Sequence, residues 1–301
     1  MNLEGRLEGE DMDMMRGLVV HEDGSTSIET MPKPKYTDYQ ALVKVTAGSL
    51  CGTDMKILHN NLKGFSDYPT ILGHESVGIV VELGKKVKNF KAGDKVVLPY
   101  IFDKSGEYYS TWGALGEYAV IGDTDAMLDD GQTCDDGTLF EFNYAQRKIP
   151  FELDDVAATM IVTFREVYST MLRLGFSKGK SIVVYGAGPV GLTFITLCKK
   201  LGLGPIICVD LFDEKIEQAK ILGASYGFNA QKVDVSAEIL KVLPNKVDIL
   251  LDAAGVPALI NQNLLLVKDY GDVCIYGVTP KNEALINWEN APYNFNLKFS
   301  Q

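Results

Sequence analysis

The chain has 301 residues, 46% of them hydrophobic and 23% charged, with a formal net charge of −11. That length supports about two domains with ample core, and the acidic balance argues against nucleic acid or an anionic membrane as a partner, since both need basic patches. No uninterrupted apolar run reaches transmembrane length, and the acidic stretch Met1–Asp13 has no apolar h-region, so no secretory signal is expected. Residues 1–14 read as a leader without fixed structure. The five cysteines, Cys51, Cys134, Cys198, Cys208 and Cys274, include no C-x-x-C pair and point to a reducing, cytoplasmic setting. Cys198, Cys208 and Cys274 sit in apolar patterns and read as core, and Cys134, in a polar loop, has no assigned role.

From residue 15 to about 120 the chain reads as short strands with turn punctuation. Arg16–His21 reads as a first strand, Ala41–Ala47 alternates apolar and polar residues as a half-buried strand should, and Ser76–Leu83 and Lys95–Leu98 read the same way, with turns at Asp23-Gly24 and at Lys91-Ala92-Gly93-Asp94. Such spacing predicts a small β-barrel-like domain. Two turns within it carry chemistry: Gly48-Ser49-Leu50-Cys51-Gly52-Thr53-Asp54, and Gly73-His74-Glu75-Ser76-Val77-Gly78. Taken singly, Cys51 reads as packed, His74 as a satisfied turn histidine and Glu75 as a surface charge. As a trio in two glycine-bounded turns they suit zinc, which accepts thiolate, imidazole and carboxylate and in a catalytic site keeps one position open.

Tyr100–Glu117 contains no cysteine. Gly122–Gln146 is acidic, with Asp123, Asp125, Asp129, Asp130, Asp135 and Asp136, and reads as a solvated loop or as the lining of a substrate entrance. Leu153–Leu174 has helical periodicity.

The most informative stretch is 181–210. Ser181–Tyr185 is an apolar β-branched run, followed by Gly186-Ala187-Gly188-Pro189-Val190-Gly191, a helical pattern over Leu192–Leu201, a second apolar run Ile206–Val209, and Asp210. A lone G-x-G-x-x-G is weak evidence, but strand, glycine turn, helix, strand and terminal acid together make the dinucleotide-binding context. Gly186 permits the tight turn, Gly188 lets the backbone approach a pyrophosphate, and Gly191 lets helix and sheet pack closely. Asp210, 24 residues past Gly186, is placed for the ribose hydroxyls and repels a 2′-phosphate, which favours NAD over NADP. Its other reading is an N-cap for the helix beginning at Asp213.

Beyond it, Asp213–Leu222 predicts a helix stopped by Gly223, Ser225–Phe228 and Val247–Leu251 predict strands, and Pro257–Val267 a helix. Asp272–Tyr276 predicts a strand ending at Gly277-Val278, and Asn296–Gln301 a sixth strand. Alternating βα units mean a doubly wound parallel sheet with right-handed crossovers, with ligands beyond the strand C-termini.

Gly73-His74-Glu75-x-x-Gly78, with Gly84 and Val87, and the Cys51-Gly52-Thr53-Asp54 turn resemble the zinc-dependent medium-chain dehydrogenases, the alcohol and polyol dehydrogenases among them. The resemblance runs from about Met15 to Gln301. It implies a GroES-like β-barrel catalytic domain over 15–152 and a Rossmann NAD-binding domain over 153–301, with the active site between them. It further implies a C-terminal segment, returning to the catalytic domain, that the sequence does not include. Cys51 and His74 would be zinc ligands, Glu75 a ligand or an adjacent switching carboxylate, and Thr53 the hydroxyl that takes the substrate proton. Gly277 and Val278 would border the nicotinamide. Such a protein would transfer hydride between a polyol, sugar or secondary alcohol and NAD, with one catalytic zinc, as a cytoplasmic homodimer or homotetramer.

The alcohol dehydrogenases of that family carry a lobe of four closely spaced cysteines; Tyr100–Glu117 has none, which implies no structural zinc. The sequence also departs from the family where a further ligand usually sits: Ile161 stands 25 residues before Gly186, with Glu166 five residues on. Lys56 occupies the place of a proton-relaying histidine, and His59 is out of register. Two other readings stay open here: a zinc-independent NAD(P)H quinone or enone reductase of the same superfamily, and an inactive, truncated NAD binder.

Overall fold

Alternating β-branched segments in the first half of the chain pair into two five-stranded sheets, and the apolar runs of the second half into one parallel sheet. The computed structural model describes residues 13–62, 64–102, 104–135, 140–277 and 285–300. Two compact units divide the chain, Met1–Val162 and Thr163–Gln301. Among the described residues no helix is long and apolar enough to cross a membrane.

The first unit contains β1 (Met14–Val20), β2 (Thr26–Pro32), β3 (Gln40–Ser49), α1 (Gly52–Leu58), β4 (Thr70–Ile71) and β5 (Glu75–Leu83). It continues with β6 (Lys95–Val97), β7 (Lys104–Ser105), β8 (Tyr108–Ser110), β9 (Tyr118–Gly122), α2 (Thr124–Asp129) and β10 (Arg147–Lys148). One sheet has the order β2-β1-β4-β8-β7 and the other β10-β6-β5-β3-β9. The expected strands fall on β1, β3, β5 and β6. The polar strand β2 has no counterpart among them, because only Met31 of its seven residues is buried and its alternation carries little apolar signal. Packing of Gly78 explains the tight β3–β5 pairing: a Cβ there would lie 2.5 Å from the Lys44 carbonyl oxygen.

The segment 122–146 is more than a solvated loop, and this corrects the sequence reading. Asp123 is buried, and its carboxylate accepts from the amides of Lys88 (2.7 Å), Asn89 (2.8 Å) and Ala126 (3.2 Å). Burial alone would raise its pKa, but these donors outweigh it and hold the carboxyl below the ordinary value. Gln146 closes the segment, fully buried, donating to the Leu98 and Val120 carbonyls and accepting from Gly122 N–H and Asn143 Nδ2. Polar residues mark both ends because each finds its partners inside, as burial requires. Asp136 lies outside the described residues.

Helix α3 (Asp155–Leu174) crosses from one unit into the next. The second unit contains β11 (Ile182–Tyr185), α4 (Pro189–Leu201), β12 (Ile206–Asp210), α5 (Asp213–Leu222), β13 (Tyr226–Asn229) and α6 (Val235–Val242), then β14 (Val247–Asp252), α7 (Ala258–Asn263), β15 (Val267–Ile275) and β16 (Phe295–Phe299). The strand order is β13-β12-β11-β14-β15-β16, all parallel, the 3-2-1-4-5-6 order of a doubly wound sheet. Both faces are covered: Ile182, Val184 and Cys208 pack with α4, while Val183, Tyr185 and Ile207 pack with residues of α6 and α7. Cys198, Cys208 and Cys274 are buried in the first of these clusters, and Cys134 is exposed.

One element differs from expectation. The helix predicted to Val267 ends at Asn263, a 3₁₀ turn follows over Leu264–Leu266, and β15 begins at Val267. Lys268, Asp269 and Tyr270 lack the apolar alternation of a strand, and the ladder to β14 is irregular there.

Candidate active site

Cys51 sits at the end of the β3 turn as the N-cap of α1, its Sγ accepting from Thr53 N–H at 3.2 Å. Asp54 completes a capping box, accepting from Cys51 N–H at 2.8 Å through Oδ2. His74 enters from the turn before β5 and brings Nε2 to 3.0 Å from Cys51 Sγ. Cys51, Asp54 and His74 thus present ligand atoms within 4.8 Å of one another. Burial pushes the Cys51 thiol up to about 11.

Two atoms in this cluster are buried and unpartnered: Asp54 Oδ1 and His74 Nδ1. They stand 4.0 Å apart, too long for a hydrogen bond but placed for one after a small turn of the imidazole. This donor set fits a zinc ion. A thiol and an imidazole nitrogen converge, and the second imidazole nitrogen faces a buried carboxylate, the arrangement that fixes the tautomer of a metal-bound histidine.

Glu75 is the first residue of β5, opposite Ser49 of β3, and its Oε2 accepts from Ser49 Oγ at 2.7 Å. It is buried beside the cluster's histidine in sequence, yet Asp54 is the carboxylate gathered with Cys51 and His74. The sequence alone assigns Asp54 no role; the spacing Cys51-x-x-Asp54, that of a capping box, is the available signal. Lys56 is half-buried, and burial lowers its pKa below the ordinary lysine value. His59 and Glu166 are exposed, and Ile161 packs against a buried apolar cluster.

A second residue went unread. Trp112 follows β8 with φ +64°, a left-handed backbone rare for a bulky side chain, and its indole packs 4.6 Å from the His74 ring, tilted by 57°. Three backbone hydrogen bonds pin this turn to the segment leading into His74: Thr111 N–H to Ile71 O, Ala114 N–H to Gly73 O, and Leu115 N–H to Leu72 O.

In the other unit the glycine turn has the geometry of its motif. Gly186 lies at φ +96°. A Cβ on Gly191 would fall 1.8 Å from the Gly186 carbonyl oxygen, whereas a Cβ on Gly188 would meet nothing within 4 Å, leaving the N-cap of α4 open. Pro189 follows as the first helical residue, where its fixed φ suits the helix, and Val190 packs on the core. Asp210 ends β12; its Oδ2 accepts from Ala187 N–H at 2.7 Å and its Oδ1 from Leu211 and Phe212 N–H. The cap of α5 is Phe212, without a side-chain hydrogen bond, so Asp210 holds the glycine turn. Beyond β14, Asp252 accepts from the amides of Ala254, Gly255 and Val256, and Gly277 N–H donates to the Asp252 carbonyl. Val278 lies outside the described residues.

Residues 37–129 match the alcohol dehydrogenase GroES-like domain and residues 189–297 the zinc-binding dehydrogenase domain. Sorbitol dehydrogenase of Bacillus subtilis is 30% identical over 91% of this chain and 78% of its own. The chain belongs to the zinc-type medium-chain dehydrogenase family. L-threonine 3-dehydrogenase of Pyrococcus horikoshii, of the same family, is 34% identical over 82% of this chain and 71% of its own. A zinc-binding dehydrogenase from Sinorhizobium meliloti, solved bound to NADP, shares the fold with a TM-score of 0.80 at 24% identity, covering 95% of this chain and 84% of that one. The family fold is therefore a GroES-like domain joined to a Rossmann-type parallel sheet, and the chain is an oxidoreductase of the alcohol and polyol dehydrogenases.

Proposed function

We propose that this protein oxidises a small alcohol, a polyol, sugar or secondary alcohol, with NAD and a single catalytic zinc. The observation that carries the reading is the convergence of Cys51 Sγ and His74 Nε2 at 3.0 Å, beside the unpartnered His74 Nδ1 and Asp54 Oδ1. When bound, zinc supplies the Lewis acidity that lowers the pKa of an alcohol hydroxyl, and nicotinamide supplies the hydride acceptor.

The chain's own residues do the rest. Cys51 and His74 would hold the metal, with Thr53 N–H donating to the Cys51 sulfur. Asp54 Oδ1, 4.0 Å from His74 Nδ1, would accept from that N–H after a small turn of the ring, which would keep Nε2 as the ligating atom. Glu75, the next residue along, is a ligand or an adjacent switching carboxylate. The Thr53 hydroxyl accepts the alcohol's proton and passes it outward. Gly188 admits the pyrophosphate at the N-terminus of α4, where the helix dipole favours negative charge. Asp210 serves the ribose hydroxyls and disfavours a 2′-phosphate. The family match speaks against a zinc-independent reductase. The edge strand β16, with Phe299 exposed, suits association into a homodimer or homotetramer, and cysteines without a paired pattern suit the reducing cytoplasm.

The test is coenzyme reduction, followed at 340 nm, by zinc-loaded protein over a panel of polyols, sugars and secondary alcohols. Turnover with NAD at least about tenfold more efficient than with NADP is expected, roughly 1.4 kcal/mol of discrimination at Asp210. A preference for NADP overturns the role of Asp210, and no turnover with any alcohol overturns the reaction.

A further inference from the structure

We propose that the Trp112 indole is a wall of the alcohol subsite beside His74, selecting alcohols whose carbinol carbon bears a flat apolar substituent. The inference rests on the alcohol-oxidation reading above and narrows its substrate class. Its first support is strain. Trp112 holds φ +64°, and Gly113 after it holds φ +71° with no room for a side chain: a Cβ would fall 2.8 Å from Ile101 and Ser110 atoms. A bulky non-glycine residue in this region is strained and persists only where the surroundings over-determine it. Glycine or asparagine would take the turn more easily. What the tryptophan adds is its ring, set against the imidazole of the metal-site histidine.

Its second support is the chemistry around that ring. Trp112, Phe102 and Phe142 pack against the same buried apolar cluster, yet all three remain partly exposed. Phe142 stacks on Phe140 with ring planes 5° apart, and Phe102 leans on both. The ring set against His74 is thus aromatic, with Phe102 and Phe142 packed on the same cluster, and flat apolar groups gain most from such a ring through offset or edge-to-face contacts. A bare polyol would strip water from its hydroxyls there without compensating hydrogen bonds.

The test compares 1-phenylethanol with 2-propanol, two secondary alcohols that differ in the aryl group, on zinc-loaded wild type, Trp112→Asn and Trp112→Phe. Asparagine tolerates the left-handed backbone, so Trp112→Asn removes the ring without imposing strain. The expected result is a kcat/KM ratio favouring 1-phenylethanol by at least tenfold in wild type. That ratio falls at least tenfold in Trp112→Asn, mainly through KM, and is retained in Trp112→Phe, with zinc per chain unchanged throughout. An unchanged ratio in Trp112→Asn, or loss of zinc with the ring, overturns the assignment.

A second readout needs no turnover. In a Trp288→Phe background Trp112 is the one tryptophan left, and its emission is expected to shift to shorter wavelength on adding 1-phenylethanol. A shift in a protein that oxidises neither alcohol keeps the wall and removes the alcohol-oxidation reading. Turnover of 2-propanol with no shift keeps that reading and removes the wall.

Discussion

Cys51→Ala is expected to lower kcat/KM for alcohol oxidation by at least about a thousandfold, the several kcal/mol that a Lewis acid contributes to such a step. Cys51 Sγ is 3.0 Å from His74 Nε2, and without it the convergent donor pair is gone. The same sulfur caps α1 by accepting from Thr53 N–H, so alanine also removes a cap at a cost of about 1 kcal/mol. Cys51→Ser separates the two roles. Its hydroxyl keeps the cap but is a poor zinc ligand, so it should fold like wild type and still lose zinc and turnover. NAD affinity, which the proposed function assigns to the glycine turn of the other unit, should stay within about twofold in both variants, a change of roughly 0.4 kcal/mol. Full activity in Cys51→Ser would remove the metal from the account.

Gly191→Ala is expected to weaken NAD binding at least about a hundredfold, roughly 2.8 kcal/mol. The added Cβ would sit 1.8 Å from the Gly186 carbonyl oxygen, a backbone atom that cannot swing aside. Relief requires α4 to move away from the turn that ends β11, which displaces Gly188 and the open helix N-terminus with it. Overpacking of this kind costs about 1–3 kcal/mol of stability as well, readable as a lower urea midpoint. Gly188→Ala is the informative contrast: its Cβ meets nothing within 4 Å, so the fold should be indifferent while NAD binding falls. If Gly191→Ala binds NAD like wild type, the glycine turn is not the pyrophosphate site. Calorimetric titration with NAD reads both variants.

The parallel sheet of the second unit was legible because its signals are local. Ile182–Tyr185 and Ile206–Val209 are continuous apolar runs, as strands buried on both faces must be, and Pro189 after Gly188 marks a helix start. The first unit was legible only in its turns. Cys51 and His74 could be paired as zinc-type residues, but Asp54 joins them because α1 folds back on its own cap, and cysteine is not an ordinary N-cap. Trp112 carried no signal, since nothing in Thr111-Trp112-Gly113 announces a left-handed tryptophan; the hydrogen bonds to Ile71, Leu72 and Gly73 impose it. The ends of 122–146 misled for a related reason. Asp123 and Gln146 look like solvated residues, and their partners, Lys88, Asn89, Leu98 and Val120, are far along the chain. The break between α7 and β15 was hidden by Leu264-Leu265-Leu266-Val267, an apolar run that periodicity assigns to helix or strand equally well.

Zinc per chain, measured by elemental analysis of protein purified without chelator, tests the central claim most directly. The account predicts about one zinc, held by Cys51 and His74 and lost in Cys51→Ser. A folded chain that binds NAD but takes up no zinc, even when zinc is supplied, would contradict it.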